Sequence, residues 1–309
     1  MGETPAHGAP TVAYLTPPRL ASFPAEVDQL EYSSRSLVFA RSGSQLLRAW
    51  GAPDRPYVLG VEEAGERWRV RAWGAGPAEA RASVRALFSL QHPLEEFYRL
   101  LGREPVLQGT NRRFRGLRLP RDASLFEALV HSVVGQQLSV AAANSIKRRL
   151  IDTVGGYLEA EGVEVPRCPS PKEILRLGAS GLTAVGLSRA KSASLLELAH
   201  AYRAGRLASG RFQRESSDRA IERLTDEKGV GRWTAENALL RGIGRRDLFI
   251  AGDLGVRNAL DQYGAVPRAA PETAARAWAE GHYPGWGSYV TLYLWRRYVA
   301  DARAAAHAG

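Results

Sequence analysis

The 309-residue sequence predicts a mainly α-helical protein with an N-terminal α+β part. Three observations carry that prediction. Alternation of apolar and polar residues is confined to the first third, as in Tyr57-Val-Leu-Gly-Val61 and Trp68-Arg-Val-Arg-Ala-Trp73. Past Arg115 the spacing turns helical, with apolar residues at 125, 126, 129, 130, 133 and 134 on one face. Serines at 124, 139, 170 and 188 stand where helix N-caps are needed.

Residues 1–18 are expected to be a disordered leader, with Gly and Pro frequent in the first ten. Residues 19–115 are expected to form a small antiparallel-sheet domain. Its two clearest strands flank a turn over Glu62–Glu66, and helices follow over 78–90 and 93–101. Residues 116–309 are expected to be helical. Ser124-Leu-Phe-Glu127 reads as a capping box, in which hydroxyl and carboxylate each satisfy a free backbone donor. Gly135-Gln-Gln-Leu-Ser139 interrupts that helix, and Ser139 caps another through Leu150. Ser170-Pro-Lys-Glu173 opens the next, with Pro at the first helical position. Further helices fit 188–203, 218–224, 233–241, 255–262, 271–280 and 288–305.

Composition narrows the function. The chain has 42 Lys+Arg against 32 Asp+Glu, and 27 basic against 20 acidic side chains fall after residue 116. A basic balance favours a polyanionic partner, although Arg richness with only four Lys also fits a GC-rich coding sequence. The single cysteine, Cys168, excludes a disulfide framework and any thiolate-ligated zinc or iron–sulfur cluster, which needs several cysteines. The six histidines show no metal-ligand spacing. No stretch approaches the ~18 apolar residues of a membrane span, so an intracellular protein is expected.

The most informative segment is Leu224-Thr-Asp-Glu-Lys-Gly-Val-Gly-Arg-Trp-Thr-Ala235. One helix ends near Asp226, Gly229-Val230-Gly231 reverses the chain, and a second helix begins at Arg232 or Trp233. The glycines allow positive φ and leave amides uncovered at a helix N-terminus, where a phosphate oxygen can be held. This is a helix-hairpin-helix over 218–241, a device that grips the DNA backbone without reading sequence. The bland alternative is an αα-corner with Gly as a C-cap.

Downstream, the apolar run Leu248-Phe-Ile-Ala-Gly252 delivers Asp253 to the start of the next helix. Asp there is a good N-cap. A carboxylate held by helix-end amides is also a fixed negative charge, able to stabilise a sugar cation. The two readings are compatible.

Hairpin, following helix and downstream Asp together resemble the helix-hairpin-helix DNA glycosylases, and within them the 3-methyladenine glycosylase II branch. The resemblance extends over Phe88–Pro93, Gly116–Pro120, Phe126 through Val140, Gly186–Lys191, and Trp286-Gly-Ser-Tyr289 with Trp295. It implies two helical subdomains beside a small N-terminal sheet domain. It implies an enzyme that extrudes an alkylated base of the 3-methyladenine or 7-methylguanine type from double-stranded DNA and hydrolyses its N-glycosidic bond, leaving an abasic site. Asp253 matches the catalytic aspartate. Trp233 and Trp286 match aromatic pocket positions, where an indole face suits a cationic base; both could instead be core tryptophans. Phe126 and Asn237 complete the implied pocket, Asn237 standing where an aromatic residue can occur. Tyr289, Tyr293 and Trp295 read as packing. The DNA contacts implied are Lys228, Gly229, Val230, Gly231, Arg232 and Thr234. The turn Gln136-Gln137-Leu138 matches the loop that wedges into the gap left by the base.

The resemblance implies no required cofactor. Relatives of this kind can bind a monovalent cation at the hairpin carbonyls, here those of Gly229 and Gly231. Lyase relatives carry a Schiff-base lysine where this chain has Trp233. A monofunctional, monomeric enzyme acting through water is therefore expected. The alternatives are a non-catalytic helix-hairpin-helix DNA-binding protein and a glycosylase for deaminated or etheno bases.

Overall fold

The structure is a computed structural model describing residues 8–32 and 38–308. Its N-terminal third is an antiparallel sheet of β1 (Thr11–Leu15), β2 (Phe39–Ser42), β3 (Gln45–Ala52), β4 (Arg55–Ala64) and β5 (Arg67–Trp73), in the order β1-β5-β4-β3-β2. Strand β1 lies inside the segment expected to be a disordered leader. It pairs with β5 from Thr11 opposite Ala72 to Leu15 opposite Trp68. Ala13 and Leu15 point into the core while Val12 and Tyr14 face outward. Five residues between prolines carry too little alternation to reveal such a strand in isolation, and pairing with β5 supplies the rest. Residues 1–7 of the expected leader lie outside the described residues. The expected turn over Glu62–Glu66 is shorter than read. Ala64 pairs with Arg67, which leaves Gly65-Glu66 as a two-residue turn with Gly65 at φ 64°.

One face of the sheet is covered by α1 (Phe23–Tyr32) and α2 (Pro77–Leu87), with Phe23, Trp68 and Phe88 meeting edge to face. The opposite face packs Leu47, Ala49, Val58 and Trp73 against a hairpin the sequence reading missed, β6 (Tyr157–Ala160) and β7 (Val163–Pro166). Its turn residues Glu161 and Gly162 both have positive φ, 53° and 75°, as a tight two-residue turn demands. An acidic residue followed by Gly was the available signal. Four-residue strands between helices are too short to show a period.

The helical part contains α3 (Leu94–Leu101), α4 (Thr110–Arg113), α5 (Leu125–Gly135), α6 (Val140–Val154), α7 (Pro171–Ala184), α8 (Arg189–Arg203), α9 (Ser209–Arg214), α10 (Ser217–Thr225), α11 (Arg232–Ala238), α12 (Leu254–Gln262), α13 (Glu272–His282) and α14 (Gly287–Ala308). The Ser170–Glu173 box forms in both directions. At Ser124 only half of the expected box forms. Ser124 caps Glu127, but the Glu127 carboxylate accepts from the Ala123 amide and turns to Arg48 of β3 at 2.6 Å. That buried ion pair fastens the sheet to α5. Among the described residues no helix is long and apolar enough to cross a membrane.

The continuous helix expected over 233–241 is α11 followed by a π-helical turn, Leu239–Ile243. The wider turn carries Gly242 against the start of α5, where a Cβ would stand 2.6 Å from the Leu125 Cα. Such turns recur at functional sites because they re-aim the side chains they carry.

Candidate active site

Asp253 caps α12, its Oδ1 accepting from the Val256 amide at 3.1 Å. Capping leaves most of the acceptor capacity of a carboxylate unused. Two indoles take it up. Trp233 Nε1 donates to Oδ2 at 3.1 Å and Trp295 Nε1 to Oδ1 at 2.8 Å. The carboxylate is thus clamped from two helices, α11 and α14, yet remains part-exposed.

Local sequence explains the clamp. Val230 is buried and anchors the hairpin, which sets the start of α11 and so Trp233. The run 248–250, expected to be strand-like, pairs with no strand and turns at its end, the Ala251 amide donating back to Phe249 O at 2.9 Å. The amides of Leu248 and Ile250 donate instead to Ser288 Oγ and Thr291 Oγ1 of α14, both at 3.2 Å. Gly287 permits the approach, since a Cβ there would meet the Phe249 nitrogen at 2.7 Å. The segment that delivers Asp253 is therefore fixed to the helix that carries Trp295. Gly255 has the same kind of role: a Cβ on it would lie 3.1 Å from Asp253 Oδ1 and 3.4 Å from the Trp295 ring.

Asp253, Trp233, Asn237 and Trp295 open into one cavity of about 650 Å³. Its wall also includes Gln29 of α1, His131 and Ser132 of α5, Lys147 of α6, Arg241 of the π-turn, and Arg296 and Arg303 of α14. Burial lowers the pKa of His131, against the opposing pull of Asp122 and Glu127. The cavity therefore offers indole faces, carboxamides and cationic side chains around one carboxylate.

Several expected site residues lie elsewhere. Trp286 is a core residue, stacked on Phe97 with ring centroids 5.4 Å apart, and Arg246 sits over its ring. Phe126 is also core, packed against Tyr202 on the side of α5 away from the cavity-lining His131 and Ser132. The indole expected from Trp286 comes instead from Trp295, which by sequence reads, with Tyr289 and Tyr293, as packing. Those two tyrosines are indeed fully buried. Helix periodicity ranks faces; it does not say which end of a face meets a cavity. The proximity of Trp295 to Asp253 has no local sequence signal.

In the hairpin, Lys228, Gly229, Gly231 and Arg232 are exposed. Gly229 has φ 79°, and a Cβ on it would collide with the Ser194 hydroxyl of α8. Gly231 departs from the expectation of positive φ: it caps α11 in extended conformation at φ −82°, with nothing within 4 Å of an added Cβ. Its value lies in leaving open space beside the helix start. Val230 and Thr234 are buried, against the exposure expected of side chains that contact DNA. Glu227 is held by Arg206 in a two-pronged pair at 2.8 and 3.0 Å, which offsets its charge beside the hairpin.

The expected wedge turn divides its labour. Gln136 is no wedge: its Nε2 donates to Gly229 O at 3.1 Å and Thr234 Oγ1 at 2.9 Å, tying the turn to the hairpin. Lys191 of α8 braces the same turn, donating to Val134 O and Gln136 O at 3.0 and 2.6 Å. Gln137 takes left-handed φ of 53°, and Leu138, 40% exposed, stands at the cavity rim.

Among the described residues one trio could offer metal ligands: Asp122, Glu127 and His131, with candidate atoms within 4.8 Å of one another. Its chemistry is that of a buried ionic knot, since Arg48 bonds to Glu127 and Lys147 lies near His131, supplying the positive charge a cation would bring. Cys168 is half-buried, and desolvation pushes its thiol pKa well up, which favours an inert thiol.

Comparison with known proteins follows the same geometry. The family model for the HhH-GPD superfamily base excision DNA repair protein matches residues 130–281. DNA-3-methyladenine glycosylase 2 of Escherichia coli is 30% identical over 218 residues, 71% of this chain and 71% of that protein. A 3-methyladenine DNA glycosylase from Archaeoglobus fulgidus superposes with a TM-score of 0.79 at 23% identity, covering 92% of this chain and 98% of the other. The Schizosaccharomyces pombe 3-methyladenine DNA glycosylase in complex with abasic DNA superposes at 0.55 with 28% identity, covering 65% and 95%.

Proposed function

This chain belongs to the HhH-GPD superfamily of base excision DNA repair proteins, and from that premise we propose that it is a monofunctional DNA glycosylase that removes alkylated bases from duplex DNA. The observation that carries the proposal is the double indole clamp on Asp253 at the wall of an open cavity. An N-cap needs only the Val256 amide; two further N–H donors converging on a part-exposed carboxylate fix a charge in place. That also disfavours a purely DNA-binding module, which has no use for an oriented acid.

In the proposed reaction the damaged nucleotide leaves the stack and its base enters the cavity. A base alkylated on a ring nitrogen carries positive charge, so it stacks favourably on indole faces such as Trp233 and Trp295. The C–N glycosidic bond breaks with its electron pair passing to the base, which departs neutral. The sugar gains oxocarbenium character, and the Asp253 carboxylate stabilises it. Water adds to the anomeric carbon and loses a proton, leaving an abasic site. A cationic leaving group needs no protonation, so no general acid is required beside Asp253.

The hairpin supplies exposed backbone and the cations Lys228 and Arg232, suited to phosphates. Leu138 is the side chain best suited to fill the vacated stack. The excess positive charge after residue 116 favours salt-sensitive, sequence-independent attraction to duplex DNA. A monovalent cation at the Gly229 and Gly231 carbonyls remains a proposal, with Gly229 O already sharing its lone pairs with Gln136. We take the working enzyme to be a monomer.

The test is release of free 3-methyladenine or 7-methylguanine from methylated duplex DNA, with borohydride present in a parallel reaction. Release without a trapped protein–DNA adduct is expected. An adduct would implicate an amine, and Lys147 is the one lysine in the cavity wall. No release of either base would sink the alkylated-base reading.

Trp295→Phe keeps a ring but removes the donor to Asp253. The excision rate should fall roughly ten- to hundredfold, the cost of one hydrogen bond to a charged group. Trp286→Phe should lower thermal stability while leaving the single-turnover rate of folded enzyme intact. Equal rate losses in the two variants would refute the assignment of Trp295 to the site and Trp286 to the core.

A further inference from the structure

Among the described residues of the sheet domain, Gln29 of α1 is the one that lines the cavity. Its neighbour Asp28 forms an ion pair with Arg296 of α14, the helix that carries Trp295. Gln29 is 3% exposed, and its Oε1 is buried without a hydrogen-bond partner. A buried acceptor in that state carries an uncompensated desolvation cost, and native proteins rarely keep one without a use.

We propose that Gln29 is a specificity-determining residue, whose carboxamide hydrogen-bonds the 6-amino edge of an extruded adenine-derived base. A carboxamide offers an acceptor beside a donor, which matches the exocyclic amine and N7 of adenine as a two-point contact. Methylation at N3 leaves both groups in place. Guanine methylated at N7 presents a carbonyl at position 6 and a methyl group at position 7, so that edge has no donor for Oε1. Gln29 therefore favours 3-methyladenine over 7-methylguanine at the same cavity. This inference rests on the glycosylase reading above and refines its substrate class.

The discriminating experiment uses duplex DNA methylated to contain both lesions, with the two released bases quantified in single-turnover reactions. Gln29→Met keeps length and flexibility but removes the amide. It should lower release of 3-methyladenine at least about tenfold relative to 7-methylguanine, the scale of the two hydrogen bonds lost. Gln29→Glu keeps the acceptor for the 6-amino group but loses the N–H donor to N7, so its ratio should fall between those of the parent and Gln29→Met. The melting temperature of Gln29→Met should hold or rise, because the oxygen removed has no protein partner. An unchanged ratio in Gln29→Met overturns the assignment, as does a variant that fails to fold, which would make the amide a structural tie. If the parent releases neither base, the glycosylase reading itself fails; if it releases both and the ratio does not move, only the role of Gln29 fails.

Discussion

Asp253→Asn is expected to lower the excision rate at least about a thousandfold, the upper scale seen when a preorganised electrostatic group is removed from a site of this kind. The substitution separates charge from structure. Asn is as good an N-cap as Asp, so the start of α12 keeps its Val256 contact. The amide oxygen can also keep one indole. Its nitrogen must then face the other indole N–H, donor against donor, which costs about 1–3 kcal/mol locally and leaves the fold intact. Duplex affinity should change by no more than about a factor of two, since phosphate contacts made elsewhere supply most of it. Quenched single-turnover excision, paired with a binding titration on the same damaged duplex, checks both halves. Undiminished turnover would reduce Asp253 to a helix cap.

The second large effect concerns the joint between sheet and helices. Arg48 bonds to Val38 O, Ala49 O and Glu127, and both ends of the ion pair are almost fully buried. Removing one partner of such a pair strands a charge in a low-dielectric interior. Arg48→Met is therefore expected to destabilise the protein by about 3–5 kcal/mol. For a chain of this size that is a fall in melting temperature on the order of 10 °C. The penalty arises mostly from the unpaired Glu127 carboxylate, which also lies near Asp122. Arg48→Met/Glu127→Gln removes that charge while keeping an acceptor for the Ala123 amide, so it should recover more than half of the loss. Thermal unfolding of the two variants decides the matter. A single variant within about 1 kcal/mol of the parent would show that the joint is held by apolar packing alone.

The legible part of the site was the part written in neighbouring residues. Gly229, Val230, Gly231 and Trp233 lie within five positions, and their glycines and capping geometry announce a turn into a helix start. Asp253 could be read because a capping residue after an apolar run is a local pattern. Most of the misreadings concern partners distant in sequence. Trp286 and Trp295 are both aromatic residues on or beside one helix, and nothing local separates them. Packing on Phe97 buries the first, while the segment held by Ser288 and Thr291 carries Asp253 to the second. Gln136 reads as part of the wedge, but its amide is tied to Thr234 of the hairpin, almost a hundred residues on.

By itself the sequence determined the class of this protein: helical periodicity with capping serines, a glycine hairpin, a poised carboxylate, a basic surplus and too few cysteines for a cluster. These are short-range or compositional properties, fixed by backbone sterics and by counting. Only the tertiary structure decided which indoles hold Asp253, that Gln29 from the sheet domain enters the cavity wall, and that β1 is a strand at all. Those outcomes depend on contacts between residues tens to hundreds of positions apart, made when separate helices and strands bury their apolar faces together. No local preference encodes them.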